Sequence, residues 1–360
     1  MEKLNQLRGR PVHVDLIRTV AIVGVILLHA AGTWTITSQE LTQMAPLETI
    51  RWSVVDVYQT VARIGLPLFV MLTGALLLQP EKNESLGTFF KKRWARIGLP
   101  FLFWGVAYFL WDFLVIGIPF SAKAIIQGIL NGPYTQFWYL YVLVGVYLLT
   151  PILRIFITHA NETLTKYFVI LWSLGVAITA FFASLTTFTL NSNVFVIAGF
   201  VGYFVLGTYL LTVQIRRSTQ WGFMILGMAL TAIGTYVLAV TGAGTDMYLF
   251  QSYFSPTVIL ASVMVFALLL QIPPPAAQKQ TSPSTGNRLL KIISANTLPI
   301  FLVHVMLLES LQNGYFGFAL NRNTLNPIIE VPLMTAIVLF VSLGIVLLLK
   351  QVPYLKKLIG

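Results

Sequence analysis

A chain of 360 residues that is 57% hydrophobic and only 10% charged cannot fold as an ordinary water-soluble protein, because soluble domains carry roughly 25% charged residues. Its formal net charge of +11 could attract nucleic acid, but the basic residues sit in short segments between apolar runs, which is how membrane topology is written; no nucleic-acid partner is expected. The absence of cysteine excludes disulfides, thiolate zinc sites and a cysteinyl acyl intermediate, and neither a metal nor a bound cofactor is expected.

Apolar runs long enough to cross a hydrocarbon layer about 30 Å thick predict an all-α transmembrane bundle in one integral membrane domain, residues 1–360. Ten spans are expected, at 14–34, 53–78, 97–117, 137–157, 167–187, 194–213, 221–241, 255–272, 292–311 and 330–350.

Ionisable groups are costly inside a membrane and therefore point to function. Span 1, "VHVDLIRTVAIVGVILLHA", holds the densest set. Its Thr19–Ala31 segment ends in small residues like a secretory signal, but Asp15, Arg18 and His29 argue for a retained span. Arg18 and His29 are eleven residues apart, which puts them within about 20° of one helical face and about 16 Å apart along the axis. A neutral imidazole in a dry cavity suits a general base, and Asp15 can steady the Arg18 guanidinium. The competing structural reading has His29 bonded to a neighbouring helix and Arg18 reaching to the interface.

In span 2, Asp56 and Arg63 share a face and are expected to form an ion pair with each other or with Asp15 and Arg18. At the start of span 3, "KKRWARIGLP" places Lys92, Arg93 and Arg96 where guanidinium forks and a free helix N-terminus would seat phosphate. The alternative is anchoring to acidic lipid. Asp112 is unassigned. Trp34, Trp52 and Trp138, with several tyrosines, gather toward the outer face; they make an aromatic belt, and some could stack on a sugar. Residues 273–287, rich in Pro, Ser and Thr, read as a flexible cytoplasmic linker. In span 9, His304 and Glu309 are either structural or cavity-lining.

Both termini should be cytoplasmic. Lys3, Arg8 and Arg10 precede span 1, Lys350, Lys356 and Lys357 close span 10, and Lys82, Lys91, Arg93, Arg216 and Lys279 fall on the same side.

At these places the sequence resembles the acyltransferase-3 family of membrane O-acyltransferases. The resemblance rests on Arg18 with His29, on Arg93-x-x-Arg96, and on "RIGLPLFVMLTGALL", "FWYLYVLVGVYLLTPIL" and "SANTLPIFLVHVMLLE". It implies that His29 is the catalytic base with Arg18 as companion and Asp15 in support. It further implies that Arg93 and Arg96 hold the phosphates of a cytoplasmic acyl-coenzyme A donor, acetyl-CoA being the common one, and it favours His304 as a cavity-lining residue; Lys92 is a further donor-binding candidate, and Asp56, Arg63, Trp138 and Glu309 are further cavity-lining candidates. The acceptor would be a hydroxyl of an envelope glycan or glycolipid, and the location the plasma membrane. The chain departs from many relatives at Gln136, where they carry His, so no proton shuttle is expected there. The alternative from another class is a secondary transporter or flippase that uses the buried Asp, Arg and His residues as a relay.

Overall fold

The computed structural model describes residues 13–34, 36–79, 84–119, 121–185, 199–241, 247–274, 284–322 and 324–360, with no side chains described over 177–185. Among them every regular element is helical. In chain order these are α1 (Val14–Ala31), α2 (Ser38–Gln43), α3 (Pro46–Ala62), α4 (Gly65–Leu77), α5 (Leu86–Arg93), α6 (Leu99–Trp111), α7 (Ala122–Asn131) and α8 (Trp138–His159). There follow α9 (Glu162–Leu185), α10 (Val201–Tyr209), α11 (Arg217–Thr241), α12 (Pro256–Leu270), α13 (Thr285–Ala295), α14 (Thr297–Gln312), α15 (Pro327–Leu349) and α16 (Leu355–Leu358).

Among the described residues, seven stretches are long and apolar enough to cross a membrane: Val14–Trp34, Pro46–Leu77, Leu86–Ile116, Ala122–His159, Arg217–Thr241, Leu249–Leu270 and Pro327–Leu349. The pair α13 and α14, bent by 79°, is an eighth if taken as one span. The expected span 167–187 falls largely within α9. The described part of 194–213 holds only α10, nine residues and too short to cross alone. Spans 2 and 3 begin earlier than expected, at Pro46 and Leu86. Lys3, Arg8, Arg10, Lys82, Lys279 and residues 275–283 of the expected linker lie outside the described residues.

Three Leu-Pro steps shape the bundle. Proline has no N–H, and its ring crowds the carbonyl four residues back. Pro67 thereby frees the carbonyl of Arg63, where α3 stops before α4 restarts at Gly65. Pro100 frees that of Arg96, which lies in a π-helical turn, Trp94–Gly98, joining α5 to α6. Pro299 frees that of Ala295, and the 79° bend falls at Asn296, between α13 and α14. The first two irregularities fall at candidate site residues, Arg63 and Arg96.

Helix α1 is central and packs against α3, α4, α13, α14 and α15. Lipid supplies no hydrophobic drive between helices, so close backbone approach by small residues holds them. A Cβ on Gly65 would stand 2.7 Å from the Ala21 carbonyl oxygen, so only glycine lets α4 lie against α1. Likewise, a Cβ on Gly74 would collide with the Phe204 carbonyl, and one on Gly207 with that of Met71. Thr208 Oγ1 donates to the Gly74 carbonyl at 2.9 Å across that α4–α10 seam.

Candidate active site

Arg18 and His29 lie on α1 and open into different cavities. His29, half-buried, lines one of about 350 Å³ together with Gln59, Arg63, Thr135 and Glu309. Arg18 lines a smaller one, about 90 Å³, with Thr73, Arg96, Tyr139, Tyr147 and Phe301. An aromatic layer stands between them. Phe69 contacts Tyr139 (centroids 6.4 Å apart), Tyr139 contacts Phe301 (5.4 Å), Phe301 contacts His304 (5.7 Å), and His304 meets His29 edge to face at 5.0 Å.

His304 is fully buried. Its Nδ1 lies 2.6 Å from the Phe301 carbonyl oxygen, which can only accept, so that nitrogen carries the proton and Nε2 presents a lone pair. Nε2 is buried with no hydrogen-bond partner among the described residues. The turn carrying His304 is held from outside α14. The Tyr108 hydroxyl donates to the Leu302 carbonyl (2.8 Å) and accepts from the Met306 N–H (3.3 Å), and Gln136 Nε2 also donates to Leu302 (3.2 Å). Tyr134 stacks on Tyr108 at 4.6 Å and donates its hydroxyl to Glu309.

Arg63 reaches the His29 cavity from the break between α3 and α4. It forms no ion pair with Asp56, as the sequence had suggested; the carboxamide of Gln251 stands between them. Gln251 Nε2 donates to Asp56 Oδ1 at 2.6 Å, and Arg63 Nη2 donates to Gln251 Oε1 at 3.4 Å. The guanidinium also lies over the Tyr253 ring, 5.4 Å from its centroid. Asp56 is buried behind the wall, His304 stands behind His29, and Trp138 packs on Phe200 and Tyr253 at the surface; none of these three lines the His29 cavity.

Asp15 makes no ion pair with Arg18 among the described residues; it sits in the first turn of α1, where a negative charge favours the helix dipole. The Arg93 and Arg96 pair also differs from expectation. Its helix begins at Leu86, so no free N-terminal N–H groups lie beside it. Arg96 faces Arg18 in the smaller cavity, whereas Arg93 borders an apolar groove of about 450 Å³ with Phe90, Trp94 and Tyr141. Ile97 and Tyr147 line both. Lys92, Arg93 and Arg154 converge on Glu84, at 2.8, 3.8 and 3.5 Å.

Beyond His29, past the short turn Gly32–Trp34, lies a further cavity of about 250 Å³, lined by Trp34, Trp52, Glu48 and Arg322 among others. Both indole N–H groups are engaged behind it, Trp34 with Glu330 at 3.0 Å and Trp52 with Tyr248. The rings are thus fixed and offer their apolar surface to the cavity.

The acyltransferase-3 model, an acyltransferase domain, matches residues 12–347. The chain belongs to the acyltransferase-3 family. No curated protein and no solved structure matches it. The acyltransferase-3 match spans every residue of the cavities described above, so they belong to the shared domain. In this acyltransferase-3 chain Gln136, buried against the backbone beside His304, has a structural contact of its own. Sequence reasoning missed Glu84, Tyr108, Arg154 and Gln251, and placed Tyr134 only in the aromatic belt. Arg154 carried a signal, being a cation inside an apolar span, and the others join partners far away in the chain.

Proposed function

We propose that the chain is a membrane O-acyltransferase that moves an acetyl or short acyl group from cytoplasmic acyl-coenzyme A to a hydroxyl of an envelope glycan or glycolipid. In this reading the bundle has about ten spans in the plasma membrane with both termini cytoplasmic, which puts Arg18 toward the inside and His29 toward the outside. The observation that carries it is the division of one helix between two cavities. Arg18 and Arg96 line the first with no carboxylate at ion-pair distance among the described residues, and His29 lines the second.

Two guanidinium groups suit an anionic donor, and Arg93 with Lys92 extends the positive surface. The thioester enters beside Arg18 and passes between Phe69, Tyr139 and Phe301, whose rings must part. His29 takes the proton from the acceptor hydroxyl, the oxygen attacks the thioester carbonyl, the carbon–sulfur bond breaks, and the proton returns to the departing thiolate. An acyl-imidazole on His29 is the two-step form of the same transfer. Arg18 or Arg63 would balance the charge that develops on the carbonyl oxygen. Two fixed indoles flanked by Glu48 and Arg322 support a sugar acceptor, since a pyranose has apolar faces and a polar rim.

Membranes containing the chain, given labelled acetyl-CoA, should transfer label to the envelope glycan fraction. His29→Ala should lower that transfer by roughly 10²–10⁴-fold, as expected for a lost general base, with the protein still folded. Unchanged labelling would remove His29 from the reaction.

A further inference from the structure

Arg18 and Arg63 face different cavities, and it is Arg63 that shares one with His29. Among the described residues Arg63 is the cation lining that cavity, and its charge acts on the His29 imidazole. Arg18 stands eleven residues before His29 on α1, about 16 Å along the axis, and opens into the other cavity. The remaining donors on the His29 wall, Thr33, Gln59, Thr135 and Gln312, are uncharged, and Gln59 Nε2 already donates to the Ala31 carbonyl at 3.3 Å. Glu309 on the same wall accepts from Tyr134, and its carboxylate would repel a negative oxygen.

The Arg63 guanidinium is also held in place. It springs from the end of α3, lies over the Tyr253 ring, and donates through Nη2 to Gln251 Oε1 at 3.4 Å. Gln251 is fixed in turn by its bond to buried Asp56 at 2.6 Å. The Asp56 carboxylate thus balances the charge through an amide and does not cap the fork directly. A guanidinium has five N–H donors, so the fork keeps donors for a further oxygen. A donor oriented before the reaction is what stabilises charge as it develops.

Building on the acyl-transfer reading above, we infer that Arg63, and not Arg18, is the oxyanion-stabilising residue, held in position by Gln251 and Asp56. As the acceptor oxygen attacks the thioester carbonyl, its proton passes to His29 and the carbonyl electron pair moves onto the oxygen, where Arg63 meets it. The pair then returns, the carbon–sulfur bond breaks, and the imidazolium gives its proton to the departing thiolate. In the two-step form the oxyanion arises twice in the same place, once on the way to the acyl-imidazole and once on the way from it. Base and oxyanion donor must each stand about 3 Å from the reacting atoms. Two residues of one cavity satisfy that requirement, whereas a residue three helical turns away does not.

The test is acyl transfer from labelled acetyl-CoA to the envelope glycan fraction by the full chain in membranes, with kcat and KM for acetyl-CoA read separately. Arg63→Gln should lower kcat by roughly 10²–10³-fold, the cost of one lost oxyanion donor, and leave KM near that of the parent. Arg18→Gln should raise KM instead. Arg63→Lys, which keeps the charge and loses the fork, should fall between the parent and Arg63→Gln. The double variant Arg63→Gln with Asp56→Asn removes both charges and leaves no unpaired carboxylate behind; it should melt near the parent and stay as slow as Arg63→Gln. Parental kcat in Arg63→Gln overturns the inference. So does recovery of parental kcat in the double variant, which would make Arg63 only a structural partner of Asp56. If the parent transfers label and His29→Ala does not, while the Arg63 variants match the parent, the transferase reading stands and this inference fails. If the parent transfers nothing, both fail.

Discussion

The imidazoles of His29 and His304 meet edge to face with centroids 5.0 Å apart, one ring open to a cavity and the other enclosed. His304 is fixed by Phe301, and Tyr108 and Gln136 hold its helical turn. A ring fixed in this way constrains the orientation of its neighbour, which is how a positioning residue acts on a base. His304→Ala should therefore lower kcat roughly tenfold, less than the 10²–10⁴-fold ascribed to loss of a general base. The KM for acyl-CoA should stay near that of the parent. A kcat equal to the parent's would show that His29 needs no such support.

The α4–α10 seam depends on the absence of side chains. Gly74→Val would drive a side chain into the Phe204 carbonyl, and overpacking of this kind costs roughly 1–3 kcal/mol or more. A thermal-melting measurement in detergent should show a clear loss of stability. Gly145, beside which a Cβ would meet nothing within 4 Å, is the control, and Gly145→Ala should melt close to the parent. Equal melting of both variants would contradict the packing described here.

Gln251 joins Asp56 to Arg63 across 195 and 188 residues of sequence. Gln251→Ala leaves a buried carboxylate without its hydrogen bond, an omission that costs about 1–3 kcal/mol. It also releases Arg63 at the edge of the His29 cavity. Stability and acyl transfer should both fall. A variant with parental stability would mean that Asp56 finds another donor.

Contacts between distant segments mark where the sequence stopped being informative. Asp56 and Arg63, seven residues apart, read as a pair because helical periodicity reports only on local neighbours, and the side chain that separates them comes from a distant segment. Glu84 was equally invisible, since nothing local links it to Arg154 on α8. By contrast, span 1 was legible because Asp15, Arg18 and His29 are costly groups within a single apolar run. The Leu-Pro steps lie between the two cases. Proline signals an interruption, but whether a helix restarts as at Gly65, relaxes into a π turn as at Arg96, or bends as at Asn296 depends on packing that periodicity does not encode. The span expected over 292–311 is bent at Asn296 for that reason.

Lys92 above all, with Arg154 and Arg93 beside it, holds the Glu84 carboxyl below the usual carboxylate range. A lowered pKa in the folded state means that ionised Glu84 stabilises the fold above its unfolded pKa of about 4.3. That contribution is lost as pH falls through the lowered folded value. The melting temperature of the parent should exceed that of Glu84→Gln near neutral pH, and the two should converge only as pH falls below the lowered folded value. A gap that persists undiminished in acid would show that Glu84 acts through something other than its charge.

The account turns on a donor on the Arg18 side of the layer and an acceptor on the His29 side, and vectorial transfer measures that directly. Proteoliposomes are loaded with labelled acetyl-CoA and given envelope glycan outside, and label on the outer glycan is counted for chains oriented with their termini inward. The parent chain should label the glycan, while His29→Ala and Arg96→Ala should not, or only at a small fraction of the parental rate. Parental labelling by His29→Ala, or labelling only when donor and acceptor share one compartment, would contradict the account.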